Sequence, residues 1–256
     1  MFLAVLVSGI AGGYLYNLNV SIPFYFSSFL SILAGASIWL IKTPVINQDK
    51  DKILNNFSEI NCIVHYRKWI RFYAISRAFV LAPFVGFYPY FLNNQMHLNL
   101  KWFGLILGAF TLCGYFSGKT STRLIKEKSN SLIVILIVML IMLSFSMLFI
   151  ASMVNDFGMA LSITTVSISL LGLSSGLIRP FVMSMLNNNT INSITRTALI
   201  SQMEKTYGIY NIAVLIIGGI IIQMYDFAIL CAVLGVTFMI LISIASEIKL
   251  TRKEVL

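Results

Sequence analysis

The sequence predicts an all-α polytopic membrane protein with about eight transmembrane helices, and three observations carry that reading. Hydrophobic residues make up 58% of the 256 positions and charged ones only 11%, with a mean hydropathy of +0.89. An ordinary soluble domain carries about 25% charged residues, and a soluble chain of this size does not cover itself with fewer than half of that. The apolar residues also fall into runs long enough to cross a bilayer core, which takes about 20 of them. Finally, the basic residues gather at every second break between those runs, as the positive-inside bias produces.

Eight runs qualify, at 2–17, 20–42, 69–93, 102–121, 130–152, 158–185, 204–224 and 227–248. Helix is the expected form of each, because in lipid a segment must satisfy its own backbone polar groups. Uniformly apolar runs also lack the alternation of an outer-membrane barrel. The first run begins FLAVLVSGIAGG directly after Met1, without the basic flank of a secretory signal. It reads as a short Gly-rich helix or as a sequence that begins partway through a longer ancestral one, and the second is preferred. After the second run comes 43–68, TPVINQDKDKILNNFSEINCIVHYRK, rich in Asn, Asp and Lys and without apolar periodicity. It is expected as a cytoplasmic linker dividing the chain into two helices plus six.

The third run crowds Tyr73, Phe84, Phe87, Tyr88, Tyr90 and Phe91 together with Pro83 and Pro89. Tyr88, Tyr90 and Phe91 suit an interfacial aromatic belt, Tyr73 and Phe84 suit a cavity, and the prolines suit a bend. Tyr207, Tyr210 and Asn211 are similar cavity candidates on the seventh run. Glycines four apart recur as Gly9/Gly13, Gly104/Gly108, Gly114/Gly118 and Gly172/Gly176. Such pairs let two helices approach closely, either as a sliding surface or as static packing. The basic groups cluster around Lys42–Arg71, Lys119–Lys128, Arg179–Lys205 and Lys249–Lys253. This places both termini in the cytoplasm of a plasma or bacterial inner membrane. Long apolar runs separate the clusters, so they do not form the single basic face that nucleic acid would need.

Catalytic and metal chemistry find little support. Cys62, Cys113 and Cys231 show no metal or disulfide spacing, and His65 and His97 fall on opposite sides of the expected membrane. Residues 172–176 read GLSSG, the G-x-S-x-G pattern of serine hydrolases. A nucleophilic serine needs a base within reach and a strand–turn–helix setting, and neither is expected here. Ser174 and Ser175 are read instead as facing another helix or a polar cavity. The chain is therefore not expected to be an enzyme or to carry a cofactor or metal.

Ionisable groups inside a span are functional candidates, since lipid burial destabilises them by a few kcal/mol or more. Arg77, near the start of the third run, has two readings. Either its side chain snorkels back to the interface, or it is a cavity cation that meets an anionic substrate or a carboxylate on a helix outside the chain. Arg179–Pro180 in the sixth run reads as an interfacial anchor and bend, or as a gate. Asp156 and Asp226 are expected in turns and Glu204 at a helix start, where its charge suits the helix dipole. No carboxylate is then deep in any span. Proton-driven transport would need its titrating acid on further helices or on a partner chain.

Two helices, a charged loop and six further helices resemble the last two-thirds of a major facilitator superfamily transporter. GYFSGKTSTRLIKEK (114–128) is similar to that family's loop motif between the second and third helices of each half. Gly114, Gly118, Lys119 and Arg123 match it, while Thr122 stands at the usual acidic position. WLIKTPVINQDKDK resembles the exit of helix six. RPFVMSMLNNNTINSITRTALISQMEKTYGIYN (179–211) resembles the turn between helices ten and eleven, with Pro180, Asn187, Arg196, Thr197 and Ser201 in place. The resemblance implies that 1–42 ends the N-terminal half, 43–68 links the halves and 69–256 is a complete six-helix bundle. It implies secondary transport of a small solute by alternating access, with the bilayer as surroundings and a missing N-terminal half supplied by another chain. Lys119, Arg123, Arg179 and Pro180 would then be gating residues, with Gly114 and Gly118. The competing expectations are a non-transporting remnant or partner subunit and, less favoured, an eight-helix membrane enzyme or lipid-handling protein.

Overall fold

The computed structural model describes residues 56–97, 101–186 and 193–245. The runs expected at 2–17 and 20–42 lie outside them, as do Gly9/Gly13, Cys62's side chain and residues 43–55. The described chain is helical, with no strand among the described residues. Its helices are α1 (Asn56–Ala82, prolonged to Gln95), α2 (Lys101–Glu127), α3 (Asn130–Met153), α4 (Phe157–Leu186), α5 (Ser193–Met224) and α6 (Phe227–Ala245). Five of them are long and apolar enough to cross a membrane: α1 over Tyr66–Gln95, α3, α4, α5 over Arg196–Met224, and α6. α2 covers the run expected at 102–121 but is not among the five. Lys119, Arg123, Lys126 and Glu127 lie in its last third.

Boundaries agree with the apolar runs for α3, α4 and α6 and differ for α1 and α5. α1 begins at Asn56, inside the expected linker, and α5 begins at Ser193, well before residue 204. The prolines of α1 do not end it. Each sits at or just before a change in helical winding: Pro83–Phe87 is a π-turn, Tyr88–Tyr90 is α-helical, and Phe91–Gln95 is a second π-turn. A proline lacks the N–H and crowds the carbonyl four residues back, and a wider turn relieves that crowding. His97, just past the helix end, takes a left-handed backbone (φ 51°) that stops it.

α4 lies at the centre of the packing, chiefly against α2 and α3 and also against α1, while α1 in turn packs on α5 and α6. The closest approach is between α4 and α2. A Cβ added to Gly172 would land on the backbone of Phe110, and one added to Gly176 on that of Gly114. Of the spaced glycines expected from sequence, Gly114/Gly118 and Gly172/Gly176 thus belong to one seam, whereas nothing lies within 4 Å of a Cβ added at Gly108. Ser117 of α2 closes it by donating to the Leu173 carbonyl at 2.6 Å. Pro180 lies inside α4 without ending it, and it leaves the Gly176 carbonyl without its usual donor. That carbonyl faces Gly118 of α2.

The α3–α4 contact is polar at its centre. Ser144 and Ser167 are fully buried. Each donates to the other's carbonyl at 2.9 Å, with their hydroxyls 2.7 Å apart. Small hydroxyl residues that bond across helices are a common means of association where no hydrophobic force drives it. Outward faces of α3, α5 and α6 expose large apolar side chains such as Leu132, Met139, Ile212, Ile216, Val236 and Ile240. A continuous apolar exterior of this kind fits an integral membrane protein.

Gly176→Ala should lower the melting temperature in detergent, since overpacking a tight contact destabilises by about 1–3 kcal/mol. Gly219→Ala on α5, where nothing lies within 4 Å of the added Cβ, should leave it unchanged or raise it. Equal behaviour of the two variants would contradict the close α2–α4 seam.

Candidate functional site

On α1, Tyr73 and Arg77 are four residues apart; on α5, Glu204 and Tyr207 are three apart. Both spacings place the pair on one helix face, and the packing of α1 on α5 sets the two faces together. Arg77 Nη1 lies 3.2 Å from Glu204 Oε1. The Tyr73 hydroxyl donates to the same oxygen at 2.8 Å. The guanidinium carbon stands 5.3 Å from the Tyr73 ring centre and 4.9 Å from that of Tyr207, so the cation is held between two aromatic faces. From α4, Arg179 Nη2 approaches Glu204 Oε1 at 3.7 Å.

Burial is graded across the cluster. Tyr73 is fully buried. The Arg77 side chain is 18% exposed, Glu204 37% and Arg179 48%. The inner pair therefore gains from low dielectric more than the outer one does, and a cation held over aromatic rings adds about 0.5–2 kcal/mol. Glu204 is eleven residues past Ser193, roughly 16 Å along the axis at 1.5 Å per residue. The expectation that it sits at a helix start is corrected by that position. Of the partners considered for Arg77, a carboxylate is present, and it stands on α5 of this chain rather than on a helix outside it: the guanidinium pairs with Glu204. Leu199 and Met203, both fully buried and four apart ahead of Glu204, are the sequence signal that would have extended the helix.

The other sequence candidates are placed as follows. Phe84 is buried and stacked on Phe110 of α2, with centroids 4.2 Å apart. Tyr88 and Phe91 are also buried and pack on Phe227, so of the three aromatic-belt candidates only Tyr90 is exposed. Ser174 is buried and donates to Leu171 of its own helix at 2.8 Å, and Ser175 is half-buried. Tyr210 and Asn211 are half-buried on α5, and the Asn211 Oδ1, one turn beyond Tyr207, is shielded without a hydrogen-bond partner. Gly114 and Gly118 belong to the α2–α4 seam. Lys119 is exposed, and Arg123 pairs with Glu127 of its own helix at 2.7 Å. With Thr122 at the position the family motif reserves for an acid, Glu127 is the carboxylate that Arg123 meets. Among the described residues no three His, Cys, Asp or Glu gather as a metal site.

The cluster brings together Tyr73, Arg77, Tyr207 and Arg179 from the candidates named by sequence, and Glu204, which the sequence pattern does not mark as a site residue. Its chemistry is that of a clasp: one carboxylate oxygen on α5 holds a tyrosine and an arginine of α1 and a second arginine from α4. Removing Arg77 should destabilise the protein more than removing Arg179. Arg77→Gln is expected to lower unfolding stability in detergent by about 1–3 kcal/mol, and Arg179→Gln by about 0–1 kcal/mol. Glu204→Gln should be at least as damaging as Arg77→Gln, and the double variant should recover part of the loss. Additive losses would show that the pair does not couple. The site is defined by this geometry alone, for no family model matches the chain and no curated protein matches it.

Proposed function

We propose that the chain works in secondary transport of a small solute, by alternating access of the major facilitator type. The observation that supports this reading most directly is the Arg77–Glu204 clasp, a charge pair joining two spanning helices, α1 and α5. A pair sealed away completely would hold the helices permanently, because breaking a buried ion pair is strongly unfavourable. Here Glu204 and Arg179 are partly open, so water or a solute can replace one partner as the helices separate. Asn211 offers an unused acceptor one turn farther along α5. The glycine seam between α2 and α4 supplies a smooth, closely packed surface beside the clasp. Transport of this kind forms no covalent intermediate, so its residues bind and hold rather than react.

In this reading the end of the bundle bearing Lys119, Arg123, Lys126 and Arg196 faces the cytoplasm, following the positive-inside bias. A peptide tag appended after Leu256 should then be labelled only once cells are permeabilised. Labelling of intact cells would reverse the proposed orientation.

Transport itself can be tested before the solute is identified. Proteoliposomes loaded with a cell metabolite extract are compared with protein-free vesicles, and the released compounds are identified by mass spectrometry. At least one small solute should leave only the protein-containing vesicles. Its flux should fall about tenfold or more in Glu204→Gln, the equivalent of about 1.4 kcal/mol, and persist in Lys128→Gln, an exposed position outside the clasp. No protein-dependent release would sink the transport reading.

A further inference from the structure

Away from the clasp, the C-terminal ends of α2 and α4 and the start of α5 enclose a groove of about 380 Å³. Its floor is apolar, made by Ile125, Pro180, Met183 and Leu186, and its polar lining is Thr122, Ser184, Lys126 and Arg196. Among the described residues no carboxylate lines it. The hydroxyls do not supply donors: Thr122 donates to Lys119 at 3.3 Å and Ser184 to Phe181 at 2.6 Å, each to a carbonyl of its own helix. Among the described residues the groove's free donors are therefore its two cations.

Among the described residues, the neighbouring charges are engaged elsewhere. Glu127, the acid next to Lys126 in sequence, is engaged by Arg123 at 2.7 Å. Arg179, beside Pro180, is directed toward Glu204. Arg196 Nε, by contrast, is shielded from solvent and has no hydrogen-bond partner. A shielded charged donor without an acceptor is unfavourable by about 1–3 kcal/mol or more, so this atom calls for an acceptor, and an anionic oxygen is the strongest one.

From these features we infer that the groove is a binding site for an anionic phospholipid. The phosphate-bearing headgroup lies between Lys126 and Arg196, and the first part of an acyl chain covers Ile125, Met183 and Leu186. A free soluble anion would match the cations but leave the apolar floor uncovered, and a neutral lipid would match the floor but leave the cations unanswered. Only an amphiphile with a negative head satisfies both. The position suits it, at the ends of helices whose outward faces are apolar. Occupancy would bridge α2, α4 and α5 and so stabilise the end of the bundle nearest Pro180.

The test uses the full chain in neutral detergent, titrated with short-chain phosphatidylglycerol while the melting temperature is followed. Phosphatidylglycerol should raise it saturably, whereas phosphatidylcholine of the same chain length and inorganic phosphate should not. The double variant Lys126→Gln/Arg196→Gln should weaken the apparent affinity about tenfold or more, given the usual contribution of each basic residue to anionic-lipid binding. Lys119→Gln/Lys128→Gln removes the same charge from exposed positions outside the groove and should leave the affinity within about twofold, as expected for a contact-dependent effect. Met183→Trp, which fills the groove without changing charge, should also weaken binding and keeps the idea open to refutation if the double variant does not fold. Equal loss in the two charge-removing variants would mean general surface attraction. Equal stabilisation by phosphatidylcholine or by inorganic phosphate would likewise overturn the assignment, to an apolar lipid site or a soluble-anion site respectively.

Discussion

Arg77 constrains the arrangement of α1, α4 and α5 because a permanent cation among apolar helices must find an anion, a ring face or water. The fold has to meet that charge. Glu204 does so from α5, and the rings of Tyr73 and Tyr207 flank the cation. The Tyr73 hydroxyl then turns what would be a single salt bridge into a shared acceptor. One oxygen thus ties the registers of three helices together, and a slip of one residue along α5 would rotate Glu204 about 100° away from α1.

α4 carries several of these requirements at once. Its Gly172 and Gly176 face bears on α2 at backbone distance, its Ser167 bonds α3, and its Arg179 reaches the clasp. The Gly176 carbonyl that Pro180 deprives of its donor lies in the seam beside Gly118. A proline in a membrane helix is tolerated when neighbours re-satisfy or shelter the freed group. The juxtaposition Arg179–Pro180, which looks disruptive when read along the chain, divides its work between two sides of one helix: the arginine turns to α5, and the proline lines the groove with Thr122 and Ile125.

The aromatic third run shows how the same residues change meaning once packed. Tyr88 and Phe91 would suit a membrane interface as amphipathic or bulky rings, but π-turns shift the faces of α1 and direct both onto Phe227 of α6. Tyr88 then lies beside the buried Ser144–Ser167 pair. Tyr90 alone keeps the exposed position that a belt residue needs. Local winding, which composition does not encode, decided between those roles.

Composition and hydrophobic runs by themselves determined that the chain is helical and membrane-like, and they located α3, α4 and α6 to within a few residues. That much is legible because lipid requires long apolar segments with internally satisfied backbones. Spacing also marked the Gly114/Gly118 and Gly172/Gly176 pairs, since helical periodicity is local. What α5 does with Glu204 was not legible: a polar stretch such as SQMEK interrupts the apolar run and reads as the region before a helix. Tertiary packing decided otherwise, because α1 presents a cation at that level and an ion pair with a tyrosine bond offsets the desolvation of a carboxylate inside a helix. The partner of a buried charge is a property of the folded neighbourhood, and no periodicity along one segment can name it.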